Sequence, residues 1–472
     1  MMFRMRREAA MTQEHPQHMV AIDDLPFSRF HKKLLVYSAA GPFCDGYVLG
    51  IIGPALAILS QPLGVTPVWS GLLGASVLIG IFVGGYLFGR ITDLVGRRMM
   101  YTVDLVVFVV LSLLQFIVTE PWQLFVLRLL LGVAVGADYP IASSMLAEFM
   151  PRKQRGPALA SLIGAWWLGY VAAYALGYVI SETGSSSWRW MLASSAVPAL
   201  AAVLGRRNLP ESPRWLMSRG RITEARRVIS QHLGTNVALP EEDARTPATE
   251  NRRALTAPGY RVRTLFVAVF WMCQVMANYT ISTFEPQILQ AMGIRNHMLF
   301  AAVISIFDLI GIIPAILLIN RMGRRPLLNI TFALSALPLL LLAIAADLPV
   351  AWIVVLFIVF AMVNTAGSIL QWVYPSEIFP TQVRASAVGF GTSVSRIGAA
   401  VGTFLLPMAM ASFGVSAATI GGAVVCLIGL VVGLILAPET RGTTLAEAAG
   451  SSVTGTPAPE NHATEKTQEQ QS

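Results

Sequence analysis

Charge is what this sequence has least of. Only 13% of its 472 residues are Asp, Glu, Lys or Arg, about half the share that a water-soluble domain carries. Against this, 55% are hydrophobic and the mean hydropathy is +0.62, which excludes a soluble globular chain and leaves the membrane-embedded class. Cysteine is almost as scarce. Cys44, Cys273 and Cys426 each lie inside an apolar stretch, with no CxxC or Cys/His spacing, so neither a disulfide framework nor a metal site is indicated. Nucleophile-base constellations and cofactor motifs are absent too; no enzyme and no cofactor is expected. The net charge of +8 does not point to nucleic acid, because the cations fall between apolar stretches rather than on one patch or helix face.

What is there is apolar helix. A hydrocarbon span needs about 20 apolar residues, and roughly twelve such stretches begin near Leu34, Trp69, Met99, Trp122, Pro157, Trp188, Val262, Met298, Pro326, Val350, Val383 and Val415. The expected fold is therefore all-α, with twelve transmembrane helices in two pseudo-symmetric six-helix bundles. Residues 1–33 form an N-terminal tail without a signal-peptide h-region, 34–206 the first bundle, 207–261 a linker, 262–440 the second bundle, and 441–472 a Thr/Ser/Pro/Glu/Gln-rich tail expected to be disordered. Arg97, Arg98, Arg152, Lys153, Arg155, Arg321, Arg324, Arg325, Arg384 and Arg441 fall on one side with the linker, whereas Glu120 and Asp347 mark the other and only Arg189 and Arg295 run against the trend. Short basic loops face the cytosol, so both termini are placed there. Within the linker, Ile222, Ala225, Ile229 and Leu233 share one helical face, with Glu224 and Arg227 spaced for an ion pair.

Gly80, Gly84, Gly85 and Gly89 on the second span and Gly132 and Gly136 on the fourth give small-xxx-small spacing, which lets helix backbones approach closely. After Gly89 comes a charged knot, Gly89-Arg90-Ile91-Thr92-Asp93-Leu94-Val95-Gly96-Arg97-Arg98, echoed in the other half as Ile319-Asn320-Arg321-Met322-Gly323-Arg324-Arg325. The recurrence says that the chain is built from two related halves. Asn320 stands where the first copy has Asp93, so the second latch lacks its acidic member.

These stretches resemble the signature loops of the major facilitator superfamily, and four more match its sugar-porter and metabolite-proton symporter branches. They are Glu148, Arg152, Arg155 and Gly156; Pro210-Glu211-Ser212-Pro213-Arg214-Trp215-Leu216; Ser376-Glu377-Ile378-Phe379-Pro380 with Arg384; and Pro438-Glu439-Thr440-Arg441-Gly442. The resemblance covers nearly the whole chain. It implies two bundles around a central cavity that opens alternately to either side, with Gly89, Asp93, Gly96, Arg97, Arg98, Glu148, Arg155, Glu211, Arg214, Gly323, Arg325, Glu377, Arg384 and Glu439 forming a cytosolic gate.

Ionisable residues inside spans cost about 2.5–3.5 kcal/mol on insertion scales and persist for a reason. Asp45 lies about 16 Å into the first span and Arg128 about 9 Å into the fourth from the opposite face, depths that let an Arg side chain reach the acid. Proton-coupled sugar porters carry such a pair, and many metabolite symporters begin with a motif like Asp45-Gly46-Tyr47. Asp45 is thus the expected proton site with Arg128 as a switchable counter-ion, or the two form a permanent buried pair. Asp138, in Gly136-Ala137-Asp138-Tyr139-Pro140, resembles the proton-transfer element of phosphate-proton symporters, which makes phosphate a second reading. Asp104 and Asp308 are expected in helix-helix polar contacts.

For substrate, the seventh span sets Trp271, Gln274, Asn278, Ser282 and Glu285 on one stripe. By resemblance, Gln274, Tyr279 and Trp372 hold sugar-binding positions, with Gln371 and Asn364 near, while on the fifth span Ile163 or Gly164 replaces the sugar-binding Gln and Trp166, Trp167 and Tyr170 follow instead. Fewer amides and more aromatic surface fit a less hydroxylated solute, such as a small organic acid, or these tryptophans simply pack between helices. The expected function is secondary transport of a small organic solute with protons, by a monomer in the bilayer of a bacterial inner membrane. A proton-driven drug or metabolite antiporter is the third reading.

Overall fold

The computed structural model describes residues 19–95, 97–206, 209–239, 255, 257, 259–344 and 348–442. Ten helices among them are long and apolar enough to cross a membrane. Six spans precede the linker: Arg29–Leu59, Pro67–Val95, Arg97–Leu114, Pro121–Phe149, Arg152–Ser181, and a sixth broken at Ser195 into Ser187–Ser194 and Ala196–Arg206. Six follow it: Arg261–Ala291, His297–Met322, Arg324–Ile344, a tenth broken at Ile369 into Val350–Ser368 and Leu370–Ile378, Thr381–Phe413 and Val415–Leu436. All twelve expected stretches are helical. The break in span six has a local cause. Pro198 has no N–H and crowds the carbonyl four residues back, while the Ser194 and Ser195 hydroxyls bond the carbonyls of Met191 and Leu192 at 2.6 Å each and compete with the helical ladder. Large apolar side chains lie exposed along most spans, the surface that a lipid bilayer covers.

Glycine spacing sets the packing of spans two and four. A Cβ on Gly80 would stand 2.2 Å from the Leu129 carbonyl, and one on Gly132 would stand 2.3 Å from that of Val77; no side chain fits between these backbones. The two halves meet in the same way near the ends of their spans. Gly71 leaves room for the Phe404 carbonyl, 2.2 Å from where its Cβ would be. Gly53 faces the Thr283 carbonyl, and the Tyr174 hydroxyl donates to the carbonyl of Ser282. These contacts lie at the end opposite the basic loops, here called the bare end. The halves therefore touch at the bare end and part toward the basic end.

Arg189, which runs against the charge asymmetry, has a structural role at the bare end. Its guanidinium donates to the carbonyls of Phe116 and Val118 at 2.7 and 2.5 Å and lies 4.4 Å from the Trp188 ring centroid. A cation beside the carbonyls that end a helix is where the helix dipole favours one.

The linker forms two short helices, Pro213–Ser218 and Ile222–His232. Ala225 and Ile229 are buried as expected, but Ile222 is 52% exposed, and Glu224 pairs with Arg221 rather than Arg227. Arg221 stands just before the helix, where its Nε and Nη2 bond both carboxylate oxygens of Glu224 at 2.7 and 2.5 Å. The helix packs, through Val228 and Leu233, on a cluster around Leu34, Met145 and Phe149. The chain just before span one joins this layer: Val20 pairs with the 236–238 segment through two backbone hydrogen bonds of 2.9 Å, and Asp23 pairs with Arg155. The C-terminal tail beyond residue 442 lies outside the described residues, as do Gly96 and Asp347 and the side chains of Gly89, Arg90, Asp93, Arg97, Arg98 and Asn320.

Candidate substrate cavity, proton site and basic-end gate

A cavity of about 1710 Å³ lies between the halves. Spans one, four and five supply Asp45, Leu49, Val135, Ile163, Trp166 and Trp167; spans seven, ten and eleven supply Trp271, Gln274, Asn278, Tyr279, Asn364, Gln371, Trp372 and Arg396. Ser143, Thr264 and Arg384 line it toward the basic end, so this conformation opens on that side.

Of the eight expected substrate residues, seven line the cavity. Tyr170 does not: its ring is buried and its hydroxyl donates to Tyr174 at 3.3 Å. Tyr170 is packed between its neighbours one turn away on either side, Tyr174 at 5.0 Å and Trp166 at 5.6 Å, and of these Trp166 is the one that lines the cavity. Ser282 and Glu285, on the same stripe as Gln274, are buried beyond the cavity. An amide cluster forms its wall. Gln274 donates from Nε2 to the Asn364 carbonyl, and Asn278 donates from Nδ2 to Asn364 Oδ1 at 3.0 Å. Trp271 and Trp372 meet edge to face at 5.4 Å.

The charged centre differs from expectation. Asp45 and Arg128 do not form an ion pair. Arg128 is fully buried and donates instead to the Val48 carbonyl at 3.1 Å, about one helical turn further along span one. The Asp45 carboxylate lines the cavity and accepts no hydrogen bond from the described residues. Asp138 has a partner that the sequence reading missed: Arg206 Nη1 bonds its Oδ1 at 3.0 Å, and both side chains are 2% exposed. Arg206 closes span six, the last residue of the expected first bundle, and its Nε donates to the Tyr37 carbonyl at 2.9 Å. Gly41 makes this possible, since a Cβ there would fall 1.7 Å from Asp138 Oδ2 and 2.4 Å from Arg206 Nη2. Asp104 is buried within electrostatic reach of the pair. In the second bundle Asp308 accepts from the Thr365 hydroxyl at 3.0 Å, the helix-helix contact expected of it.

At the basic end the two halves repeat one arrangement. The Ser212 hydroxyl donates to Glu148 and the Thr440 hydroxyl to Glu377, so Glu211-Ser212 and Glu439-Thr440 close equivalent corners. The partner of Glu377 is not Arg325, the member of the Arg324-Arg325 pair expected in the gate. Arg324 is, with Nη2 and Nε on Oε1 at 2.8 and 3.3 Å, while the Arg325 guanidinium turns outward to the Leu434 carbonyl. Arg155 pairs with Asp23 of the tail, and Arg384 Nε donates to the Phe379 carbonyl at 3.4 Å. Glu211 and Arg214 stand at the start of the linker, Glu211 accepting from the Ser212 N–H at 2.9 Å. These contacts lie within a half.

Glu439 caps span nine. It accepts the N–H groups of Arg324 and Arg325 at 3.0 and 3.1 Å, and those of Thr440 and Arg441 at 3.0 and 2.8 Å. Gly323 leaves room for this, with φ of +91° and a hypothetical Cβ 2.7 Å from the carboxylate. Burial pushes the Glu439 carboxyl up, but the four N–H donors outweigh it and hold the group below the ordinary Glu value. Its contribution is complete above the ordinary value of 4.5 and is lost as pH falls through the lower folded value. Protection of the Arg324 and Arg325 amides, taken relative to their intrinsic exchange rates, is expected to be full above pH 4.5 and to fall as the pH drops below that value, and Glu439→Gln should remove that dependence. Equal pH dependence in the variant would dismiss the cap.

Arg396 and Arg324 also escaped the sequence reading. Arg396 is the sole Lys or Arg between Ser386 and Phe413, so the rule that flagged Asp45 flags it equally. Arg324 carried no such signal, because two adjacent arginines differ only in which way the helix turns them.

The sequence matches the description "Sugar (and other) transporter" over residues 33–450. The chain belongs to that family. It is 42% identical over 436 residues to the protein YaaU of Escherichia coli K12, covering 92% of this chain and 98% of that one. It is 28% identical over 453 residues to the arabinose-proton symporter of Bacillus subtilis 168, covering 90% and 96%. Its fold is that of the xylose transporter XylE of E. coli in a partially occluded inward-open conformation, with TM-score 0.73, 22% identity, and coverage of 88% of this chain and 100% of that one. The major facilitator fold expected from the signature loops is thereby established, and the chain is a multi-pass membrane protein of a transporter family.

Proposed function

We propose that this family member is a proton-coupled symporter of a small organic solute, working by alternating access as a monomer in a bacterial inner membrane with both termini cytosolic. The observation that carries the coupling is Asp45, a carboxylate deep in the first span that lines the solute cavity without a hydrogen-bond partner among the described residues. A group so placed exchanges protons with whichever side the cavity faces. Arg128, held on the Val48 carbonyl, is the counter-ion withdrawn in the conformation open to the basic end. The similarity to an arabinose-proton symporter supports the same reading. Asp138, locked to Arg206, has a structural rather than a coupling role.

The amide wall and paired tryptophans supply the solute contacts, and the corner clusters at the basic end hold each half rigid as it rocks. Phosphate has weaker support, because a polyanion needs several converging cations and the described cavity wall offers Arg396 at its centre and Arg384 at its mouth. Proteoliposomes with an inward-directed proton gradient are expected to accumulate solute, and a protonophore should abolish the accumulation. Proton influx driving solute out of the vesicles would establish the antiporter reading instead.

A further inference from the structure

Among the described residues, Arg396 is the cation that the mechanism above leaves unused at the middle of the cavity. It stands 15 residues past the start of span eleven, Thr381–Phe413, about 23 Å along the axis at 1.5 Å per residue. Its Nη1 donates to the Tyr279 hydroxyl at 3.3 Å, its guanidinium lies 5.6 Å from the Tyr279 ring centroid, and its buried Nε has no hydrogen-bond partner. A guanidinium carries five N–H donors in a fork shaped for a carboxylate. One long bond to a neutral hydroxyl leaves most of that fork unspent, at a depth where an unsatisfied charge is costly.

The groups around it restrict what it binds. Gln274 and Asn278 spend amide N–H groups on Asn364, which leaves their carbonyl oxygens to accept from hydroxyl donors. The Trp271–Trp372 pair and Trp166, which all line the cavity, supply apolar aromatic walls. Across the cavity, Asp45 lies within electrostatic reach of Arg396.

We propose that Arg396 binds the carboxylate of the transported solute, and that this solute is a hydroxylated ring monocarboxylate: its acid group on the guanidinium, its hydroxyls on the amide carbonyls, its ring against the tryptophans. The proposal rests on the transport reading above and gives it a substrate class. It also fixes the charge balance, since one monocarboxylate entering with one proton moves no net charge.

The test compares acids with uncharged counterparts of the same ring. Protein in lipid nanodiscs is titrated calorimetrically with glucuronate against glucose, and with 3,4-dihydroxybenzoate against 3,4-dihydroxybenzamide. At least one acid should bind, with its uncharged partner roughly 10- to 100-fold weaker, the range set by a hydrogen bond to a charged group. Binding of only one acid still supports the carboxylate and identifies the ring as saturated or aromatic. Arg396→Gln should weaken the acid by a similar factor and leave the neutral compound unchanged, and Arg396→Lys should recover part of the loss.

Neutral partners binding as tightly as the acids in the unmutated protein would overturn the proposal without reliance on any variant, as would failure of both acids to bind. Transport is read separately, by exchange in proteoliposomes. Acids that bind through Arg396 but never cross would sink the transport reading and leave the site. Full-rate uptake of glucose by the unmutated protein, with no uptake of either acid, would do the reverse.

Discussion

In vesicles carrying the Asp45→Asn protein, solute is expected to equilibrate but not to accumulate, while exchange of labelled for unlabelled solute continues within about threefold of the original rate. The argument follows from placement. A proton entering down a pH gradient is worth about 1.4 kcal/mol per pH unit, which supports about tenfold accumulation per unit, and that work reaches the solute only through a group that binds the proton inside the cavity. Asn keeps the volume of Asp45 and binds no proton, so the conformational cycle survives while the driving force is disconnected. Exchange needs only the loaded carrier to reorient, so it separates lost coupling from lost folding. Accumulation at the original level would show that the proton enters elsewhere, and Asp104 would be the next group to test.

The second large effect is on stability. Replacing Arg206 by Met leaves Asp138 buried without its cation, and breaking a buried pair by removing one partner costs about 3–5 kcal/mol. Loss of both charges is far cheaper, so Arg206→Met combined with Asp138→Asn should recover most of the deficit. Gly41→Ala attacks the same pair from span one, because its Cβ would lie 1.7 Å from Asp138 Oδ2. Denaturant unfolding in detergent micelles measures all three. If the double variant were as unstable as Arg206→Met alone, the cost would belong to the lost contact with the Tyr37 carbonyl rather than to the orphaned carboxylate.

Both predictions came from combining a sequence rule with a placement. The rule that intramembrane charge persists for a reason singled out Asp45, Asp138 and Arg128 correctly as residues that need explanation, and applied evenly it also covers Arg396. It did not pair them. Arg206 stands at the end of an apolar run, where snorkelling side chains normally sit, and nothing local shows that Gly41 opens a path for it into the bundle. Tyr170 was read as a substrate contact by family resemblance, near the missing sugar-binding Gln of span five; the structure turns it toward Tyr174 instead.

By itself the sequence determined the class, the twelve spans, the two-half repeat and the close approach of spans two and four. Each follows from short-range quantities: hydropathy over one membrane thickness, the recurrence of a loop, and glycine at one-turn spacing. Only the tertiary structure decided which charges meet. Arg206 reached Asp138, Arg324 reached Glu377, Arg128 settled on a backbone carbonyl, and Arg396 was left facing the cavity. Partner choice between charges depends on distances across several helices, and a difference of one residue turns a side chain by about 100°, which no linear pattern records.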